Sequence, residues 1–201
     1  MHFRRKIVVA ALAVAVACLL AACGNTAADN AAARNQTAQG SAQNTGSGAP
    51  SDSSVLIAYF SQTGNTEEAA QRIAQYTGGD LAEIQRAEEY TDLQEEAEAE
   101  ILDGVHPDIT VSVEDIAQYD TIFVGYPIWW DEAPAMIATF LAENNFAGKT
   151  VVPFCTSASD SIDNSLHIFD ELCPDATIAE GLTANDLDDI EPWLQALGVV
   201  E

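Results

Sequence analysis

Apolar runs that alternate with helical patterns constrain the fold of this chain more than any other feature. Residues 55–60, 121–126 and 150–156 (VLIAYF, TIFVGY and TVVPFCT) are almost continuously apolar, as expected of strands buried on both faces. Weaker strands are predicted at 80–87 and 176–182. Proline lacks the N–H group that a central strand needs, so the proline of the 150–156 run predicts a local bulge.

Helical patterns separate these strands. They are predicted at 66–76, 91–102, 133–144 and 163–172, and a terminal helix carries Ile190, Trp193, Leu194 and Leu197 on one face. Strand and helix therefore alternate about five times, which predicts a parallel sheet covered by helices on both faces. The predicted fold class is a doubly wound α/β domain with five parallel strands, spanning residues 54–201.

Residues 1–22 have the pattern of a secretory signal peptide, in which a cationic start precedes an apolar stretch too short for a comfortable membrane span. Residues 20–24 (LAACG) resemble the bacterial lipobox, whose cysteine is lipidated and becomes the new N-terminus, here Cys23. A plain signal peptide with an incidental cysteine is the alternative. The Arg4-Arg5 pair also fits a twin-arginine signal, which would export an already folded protein.

The segment that follows has the composition of a flexible tether. Residues 24–53 contain no large apolar side chain, so we interpret 23–53 as the lipidated cysteine followed by a disordered linker. The predicted location is therefore extracytoplasmic, with the domain held by lipid at the outer face of the bacterial cytoplasmic membrane.

The charge of the chain restricts its partners. It has 32 acidic and 7 basic residues, a formal net charge of -25, which argues against nucleic acid because phosphate backbones are bound by Lys and Arg. The acidic surface fits transient docking on a basic partner, or it merely keeps an exported protein soluble. The scattered histidines and the lack of any CxxC motif argue against a structural zinc site, and Cys155 and Cys173 could pair outside the cytoplasm.

The loop after the first strand predicts a phosphate site made without cations. Hydroxyl and amide groups, a flexible glycine and a helix start together supply hydrogen-bond donors and a positive dipole end. The alternative is an ordinary helix N-cap and turn, where the same residue types are common. The candidate phosphate-binding residues are Ser61, Gln62, Thr63, Gly64, Asn65 and Thr66.

In these motifs the chain resembles the flavodoxins, which bind flavin mononucleotide (FMN). AYFSQTGNT is similar to their phosphate loop, and YDTIFVGYPIWWDEAPAMIATFL, FAGKTVVPFCTS and WLQALG extend the resemblance over nearly all of 54–201. The resemblance implies strand order 2-1-3-4-5 and FMN bound where the strand order reverses.

The two later loops are then expected at the flavin ring. Adjacent indoles could instead plug the edge of the core, and we expect one of them to do so while at least one stacks on the ring. The third loop has Ala158, Ser161 and Asp163 where the related proteins are expected to have glycines. The candidate ring-binding residues are Pro127, Ile128, Trp129 and Trp130 in the second loop and Thr156, Ser157, Ala158, Ser159 and Asp160 in the third.

The predicted function is FMN-dependent electron transfer outside the cytoplasm to a redox partner protein, or the action of an FMN-dependent oxidoreductase on a small electron acceptor. No side chain is assigned as a catalytic acid or base, and no metal is expected. Asp160 or Asp163 would oppose negative charge on the ring, which predicts a low potential for the couple that forms the fully reduced flavin. The alternatives are an NAD(P)H-dependent quinone or nitro-compound reductase, and a flavodoxin-like adaptor lipoprotein that has lost FMN.

Overall fold

The structure is a computed structural model that describes residues 54–201. The predicted signal peptide at 1–22 and the predicted tether at 23–53, with its lipidated Cys23, lie outside the described residues. Within the described range, no helix is both long enough and apolar enough to span a membrane.

The strands form one sheet in the order β3-β2-β1-β4-β5-β6, and β7 also lies beside β5. The strands are β1 Val55–Tyr59, β2 Asp80–Arg86, β3 Ile109–Val111, β4 Thr121–Pro127, β5 Thr150–Thr156, β6 Thr177–Ile178 and β7 Leu182–Thr183. The α-helices are α1 Asn65–Thr77, α2 Leu93–Asp103, α3 Ala135–Glu143, α4 His167–Leu172 and α5 Ile190–Ala196. Short 3-10 turns at Ile162–Leu166 and Leu187–Asp189 precede α4 and α5.

The predicted parallel order is confirmed. In chain order the predicted strands correspond to β1, β2, β4, β5 and the β6–β7 region, and they lie as 2-1-3-4-5 with parallel pairing throughout. The short strand β3 was not predicted, and it pairs antiparallel with β2 at the edge of the sheet. A strand of 3 residues carries too little periodicity to be recognised in the sequence.

The predicted bulge in β5 is wrong, because β5 keeps an unbroken register against β4 on both sides of Pro153. The proline instead coincides with a break in the neighbouring strand. β5 pairs β6 at Thr150 and Val151, and it pairs β7 at Phe154 and Cys155, with Pro153 between the two segments. The missing N–H group of the proline therefore falls where no ladder hydrogen bond is required.

Helices cover both faces of the sheet, as predicted. Alternate residues of β1 enter two separate cores: Leu56 packs on the side of α3, and Ile57 packs on the side of α1 and α5. Each of these two side chains is 0% exposed. Parallel strands buried on both faces explain why the runs read as continuously apolar. Both described cysteines, Cys155 and Cys173, are buried free thiols, so they do not pair.

Candidate functional site

A cleft of about 520 Å³ lies beyond the carboxyl ends of the strands. The three predicted loops reach it, because the carboxyl ends of parallel strands meet at one edge of the sheet. A fourth segment, after β7, also contributes. The cleft is lined by Thr63, Asn65 and Glu68 from the first loop and α1, Pro127 and Ile128 from the second loop, Thr156, Ser157 and Ala158 from the third, and Ala184, Asn185 and Leu187 from the fourth.

The first loop is a turn that is closed by Ser61. Its Oγ accepts hydrogen bonds from the backbone N–H groups of Gly64 and Glu67, each at 3.1 Å. Gly64 has φ 93°, the left-handed conformation that favours glycine, as the sequence predicted. The hydroxyl thus replaces the side-chain N-cap that a glycine cannot supply.

This arrangement leaves donors at the helix start. The first intrahelical bond is donated by Glu68 to Gly64, so the N–H groups of Asn65 and Thr66 precede the ladder. Neither N–H group is used in the hydrogen bonds found among residues 54–201. Two backbone donors therefore remain at the positive end of the 13-residue helix α1.

The predicted phosphate-binding residues do not all face the cleft. Thr63 and Asn65 line the cleft, whereas Gln62 lines a separate groove beside Phe60. The Thr66 side chain is buried, and its Oγ1 lies 2.8 Å from Oγ1 of Thr156. The Thr66 hydroxyl therefore ties the first loop to the end of β5 rather than facing the cleft.

The second loop contributes apolar surface. Pro127 ends β4 and Ile128 follows it, and both line the cleft. The backbone N–H of Ile128 donates to the carbonyl of Thr156 at 2.9 Å, so the second and third loops are joined directly. The apolar wall expected from this loop is thus formed by a proline and an isoleucine.

The two indoles lie outside the cleft lining. Trp129 packs edge-on against Phe60, with ring centroids 5.3 Å apart, and against Tyr90 at 6.3 Å. It is partly buried against the core cluster, which is the plugging role expected of one indole. Trp130 is 42% exposed. A ring-stacking role for either indole stays a prediction.

Trp130 and Asp131 form the tip of a tight hairpin. Their φ angles are 47° and 67°, and Trp129 and Glu132 exchange two backbone hydrogen bonds of 2.9 Å. Two positive φ angles are typical of a type I′ turn, although neither tip residue is glycine. Two side chains hold the hairpin, one from α4 and one from the 3-10 turn that precedes α4. Asn164 donates to Asp131 at 2.7 Å, and His167 Nε2 lies 2.9 Å from Glu132.

The third loop is closed by Ser157. Its Oγ accepts from the N–H groups of Ser159 at 3.3 Å and Asp160 at 2.8 Å. Ala158 lines the cleft, while Ser159 and Asp160 are exposed and do not. Among the described residues, Trp130 and Asp131 alone have positive φ without being glycine, so Ala158, Ser161 and Asp163 occupy their expected glycine positions without backbone strain.

The fourth segment was missed by sequence reasoning. Asn185 Oδ1 accepts a hydrogen bond of 2.9 Å from the backbone N–H of Ser157, so this segment fixes the third loop. Ala184 and Leu187 add apolar lining. The only sequence feature that could have indicated this segment is LTAND at residues 182–186, at the end of a weak predicted strand. The same residue types are also typical of an ordinary helix start.

The cleft is not cationic. Within 54–201, no Lys, Arg or His lines it, and the one charged lining side chain is Glu68. Any anion bound there would be held by hydroxyls, amides and the helix dipole, and it would be repelled by the Glu68 carboxylate. The described residues contain no group of three or more His, Cys, Asp or Glu side chains that could hold a metal ion.

A family model described as Flavodoxin matches residues 54–197. A crystal structure of a Bacteroides eggerthii protein described as a flavoprotein has 40% sequence identity and a TM-score of 0.67, and it covers 73% of this chain and 98% of that chain. A Bacteroides uniformis protein described in the same way has 35% identity and a TM-score of 0.65, covering 71% and 98%.

A more distant neighbour was solved with a ligand. The Lactobacillus acidophilus flavoprotein in complex with FMN has 24% identity and a TM-score of 0.58, covering 70% of this chain and 98% of that chain. Its similarity establishes a shared fold. No curated protein matches the chain.

Proposed function

The chain belongs to the flavodoxin family, and we propose that its domain binds FMN without a covalent bond and uses it to carry electrons or to reduce a small acceptor. The observation that carries the proposal is the cleft itself. Thr63 and Asn65, at the start of α1, line the same cavity as Pro127 and Ile128 at the end of β4. The related Lactobacillus acidophilus flavoprotein was solved in complex with FMN.

The polar end of the cleft suits a phosphate monoester. The side chains of Thr63 and Asn65 can donate to phosphate oxygens, and the unused backbone N–H groups of Asn65 and Thr66 add two more donors. Ser61 shapes the loop, because its hydroxyl already accepts from two backbone N–H groups. These groups act at hydrogen-bonding distance, whereas the acidic surface is screened over about 8 Å at physiological salt.

The apolar end suits a flat ring. Pro127, Ile128 and Ala158 offer rigid or small apolar surface, and the cleft volume of about 520 Å³ lies within the usual range for small-molecule sites. Bound FMN would supply the electron-transfer chemistry. The chain's own residues would bind the phosphate, orient the ring and limit access of water. We assign no catalytic acid or base, since Glu68 is the only ionisable side chain among the described lining residues.

We also propose that the protein is an exported lipoprotein, anchored through Cys23 at the outer face of the bacterial cytoplasmic membrane. Its partner would be a redox protein or a small electron acceptor reached outside the cytoplasm. The lipobox-like sequence LAACG supports this location. Metabolic labelling with radioactive palmitate tests it: the wild-type chain is expected to be labelled and Cys23→Ser is not. Label retained by Cys23→Ser would contradict anchoring at this residue.

The cofactor proposal is tested on the domain 54–201. The Bacteroides eggerthii relative matches over 98% of its own length, so a domain of this extent is sufficient for the fold. The purified domain is expected to be yellow and to quench the fluorescence of added FMN with 1:1 stoichiometry. Thr63→Ala is expected to weaken FMN binding and to leave riboflavin, which lacks the phosphate, nearly unaffected. A colourless domain that retains no added FMN would refute the proposal and favour an adaptor role.

A further inference from the structure

A second groove lies outside the cleft and shares none of its lining residues. It has a volume of about 390 Å³ and runs between α2, α3 and α4. Leu102 and Val105 from the end of α2, Ala138 from α3 and Ile168 from α4 form apolar parts of its lining. Nothing in the proposed flavin chemistry requires this groove.

The groove exposes apolar surface that the fold leaves uncovered. Leu102 is 74% exposed and Val105 is 45% exposed, and both line the groove. A single exposed apolar residue needs no explanation, but adjacent ones that border a concave surface are typical of a binding site.

The ionisable groups of the groove are carboxylates and two histidines. Glu132 and Glu171 line it together with His106 and His167, and no Lys or Arg is among its described lining residues. Both carboxylates approach His167: Nε2 lies 2.9 Å from Glu132, and Nδ1 lies 3.7 Å from Glu171. Their side chains are 35% and 71% exposed, so both can reach a ligand from the rim.

A third carboxylate in the lining is already occupied. Glu100 accepts from Arg86 Nε at 3.0 Å and from the Tyr90 hydroxyl at 2.9 Å. It therefore offers little to a ligand. Glu132 and Glu171 also contact His167, but their side chains are 35% and 71% exposed against 10% for Glu100, so the carboxylates that a ligand can reach lie on the side of α4.

We propose that this groove binds a small organic cation that has an apolar body and a protonated amine. The apolar body would lie along Leu102, Val105 and Ala138, and the ammonium group would contact Glu132 and Glu171 in place of the His167 imidazole. The volume of about 390 Å³ is that of a small-molecule site rather than of a protein interface. The two carboxylates select a cation over an anion of the same shape.

Binding would also reach the hairpin beside the flavin cleft. Glu132 closes the hairpin that carries Trp130, and its contact with His167 is one of the two side-chain hydrogen bonds described for this hairpin. An ammonium group at Glu132 competes with His167 for the same carboxylate. The fluorescence of the exposed Trp130 is therefore expected to change when the groove is filled.

The proposal is tested by titrating decylammonium into the domain 54–201, below its micelle-forming concentration, with calorimetry and tryptophan fluorescence. One saturable site is expected, and decyl sulfate is expected to show none. Glu171→Gln, at an exposed side chain, weakens decylammonium binding roughly 2–5-fold, the usual size of such an ion pair. Ala138→Trp, which fills the groove, abolishes binding of decylammonium.

Because the whole protein is acidic, the control must match the change in charge. Glu143→Gln removes one negative charge at the end of α3, outside the groove lining, and is expected to change the affinity less than 1.5-fold. Equal weakening by Glu143→Gln and Glu171→Gln would overturn the proposal, since it would indicate general attraction to an acidic surface. Unchanged binding by Ala138→Trp, or by Ala138→Leu if the first variant does not fold, would overturn it as well.

Discussion

The hydroxyl oxygens of Thr66 and Thr156 lie 2.8 Å apart in the interior of the domain, at 1% and 8% exposure. This hydrogen bond joins the start of α1 to the end of β5, and so it connects the first loop to the third. It gives Thr66 a structural role at a position where the sequence predicted a phosphate-binding hydroxyl.

Replacing Thr66 with Val tests this role. The variant keeps the shape of the side chain but leaves the buried Thr156 hydroxyl without this partner, and we expect it to lower the free energy of unfolding by about 1–2 kcal/mol. The double variant Thr66→Val/Thr156→Val removes both groups and is expected to recover much of the loss. Urea unfolding measures both effects. A Thr66→Val protein of normal stability that binds FMN much more weakly would instead assign the hydroxyl to the phosphate.

Glu68 is expected to oppose the phosphate. It is the only charged side chain that lines the cleft within the described residues, and it lies on the first turn of α1. We expect Glu68→Gln to tighten FMN binding roughly three- to tenfold, because one repulsive charge is removed. Riboflavin affinity should change less than twofold. Fluorescence titrations with both flavins at low salt measure the difference.

The matched control for this prediction is Glu67→Gln. Glu67 shares the first turn of α1 but is not part of the cleft lining, and its carboxylate accepts from the Gln71 side chain at 3.0 Å. It carries the same interaction with the helix dipole. Equal tightening by both variants would indicate an effect of net charge alone rather than a specific position of Glu68.

The sequence was sufficient to predict the sheet because its central strands are buried on both faces. Such strands appear as continuous apolar runs, and the helices between them restrict the topology to few alternatives. The edge was less predictable. β3 is too short to show an alternating pattern of apolar and polar residues. The last predicted strand is divided into β6 and β7 opposite Pro153, and this break depends on pairing with β5, which the sequence of one strand cannot show.

The site was predictable where it is local in sequence. The first loop, with Ser61 closing a turn around Gly64, is built from one hexapeptide. Which of the two indoles plugs the edge of the core was not predictable, because Trp129 is oriented by Phe60 and Tyr90, which lie far from it in the chain. The same reason explains why Asn185 was missed: its partner is the backbone of Ser157.

Asn185 is therefore expected to affect the ring end of the site. Asn185→Ala removes the acceptor for the Ser157 N–H group and should loosen the third loop. We expect roughly five- to tenfold weaker binding of both FMN and riboflavin, the effect of losing about one hydrogen bond. Thr63→Ala provides the comparison, since it should affect FMN alone. Selective loss of FMN affinity in Asn185→Ala would contradict a role at the ring.

The two thiols should be unreactive in the native state. Burial raises the pKa of Cys155 to about 11, opposed by the hydrogen bond to Thr183 and assisted by the Asp163 carboxylate, and burial raises the pKa of Cys173 to about 11. Both thiols are therefore protonated at pH 8, and thiolate is the reactive form. Labelling with iodoacetamide at pH 8 is expected to proceed only as fast as the domain unfolds. Rapid stoichiometric labelling of folded protein would contradict this.

The raised pKa values of the two thiols also make the stability of the domain depend on pH. A thiol whose pKa is raised on folding stabilises the native state fully below its unfolded pKa, and this contribution is lost as pH rises through the folded value. We expect the free energy of unfolding to fall between about pH 9 and pH 11. Comparison with Cys155→Ala/Cys173→Ala isolates the thiols from tyrosines that titrate in the same range, and the difference between the two proteins should shrink as pH rises.

The charge of the third loop should set the potential of the bound flavin. Asp163 is close enough to influence the Cys155 thiol at the end of β5, and its carboxylate accepts from the Ser161 hydroxyl at 2.8 Å. A fixed negative charge near the ring opposes the charge gained on full reduction. We expect the couple that forms the fully reduced flavin to lie below that of free FMN. Asp163→Asn should raise it by about 20–60 mV, measured by spectroelectrochemical titration.

Asp170→Asn is the control for this shift, because Asp170 is exposed on α4 rather than in the third loop. It changes the net charge by the same amount, yet it should move the potential by less than about 10 mV at physiological salt, since solvent screens an exposed charge outside the loops that border the cleft. A wild-type potential equal to that of free FMN would show that the carboxylates of the third loop do not act on the ring, and the acidic surface would then concern only docking or solubility.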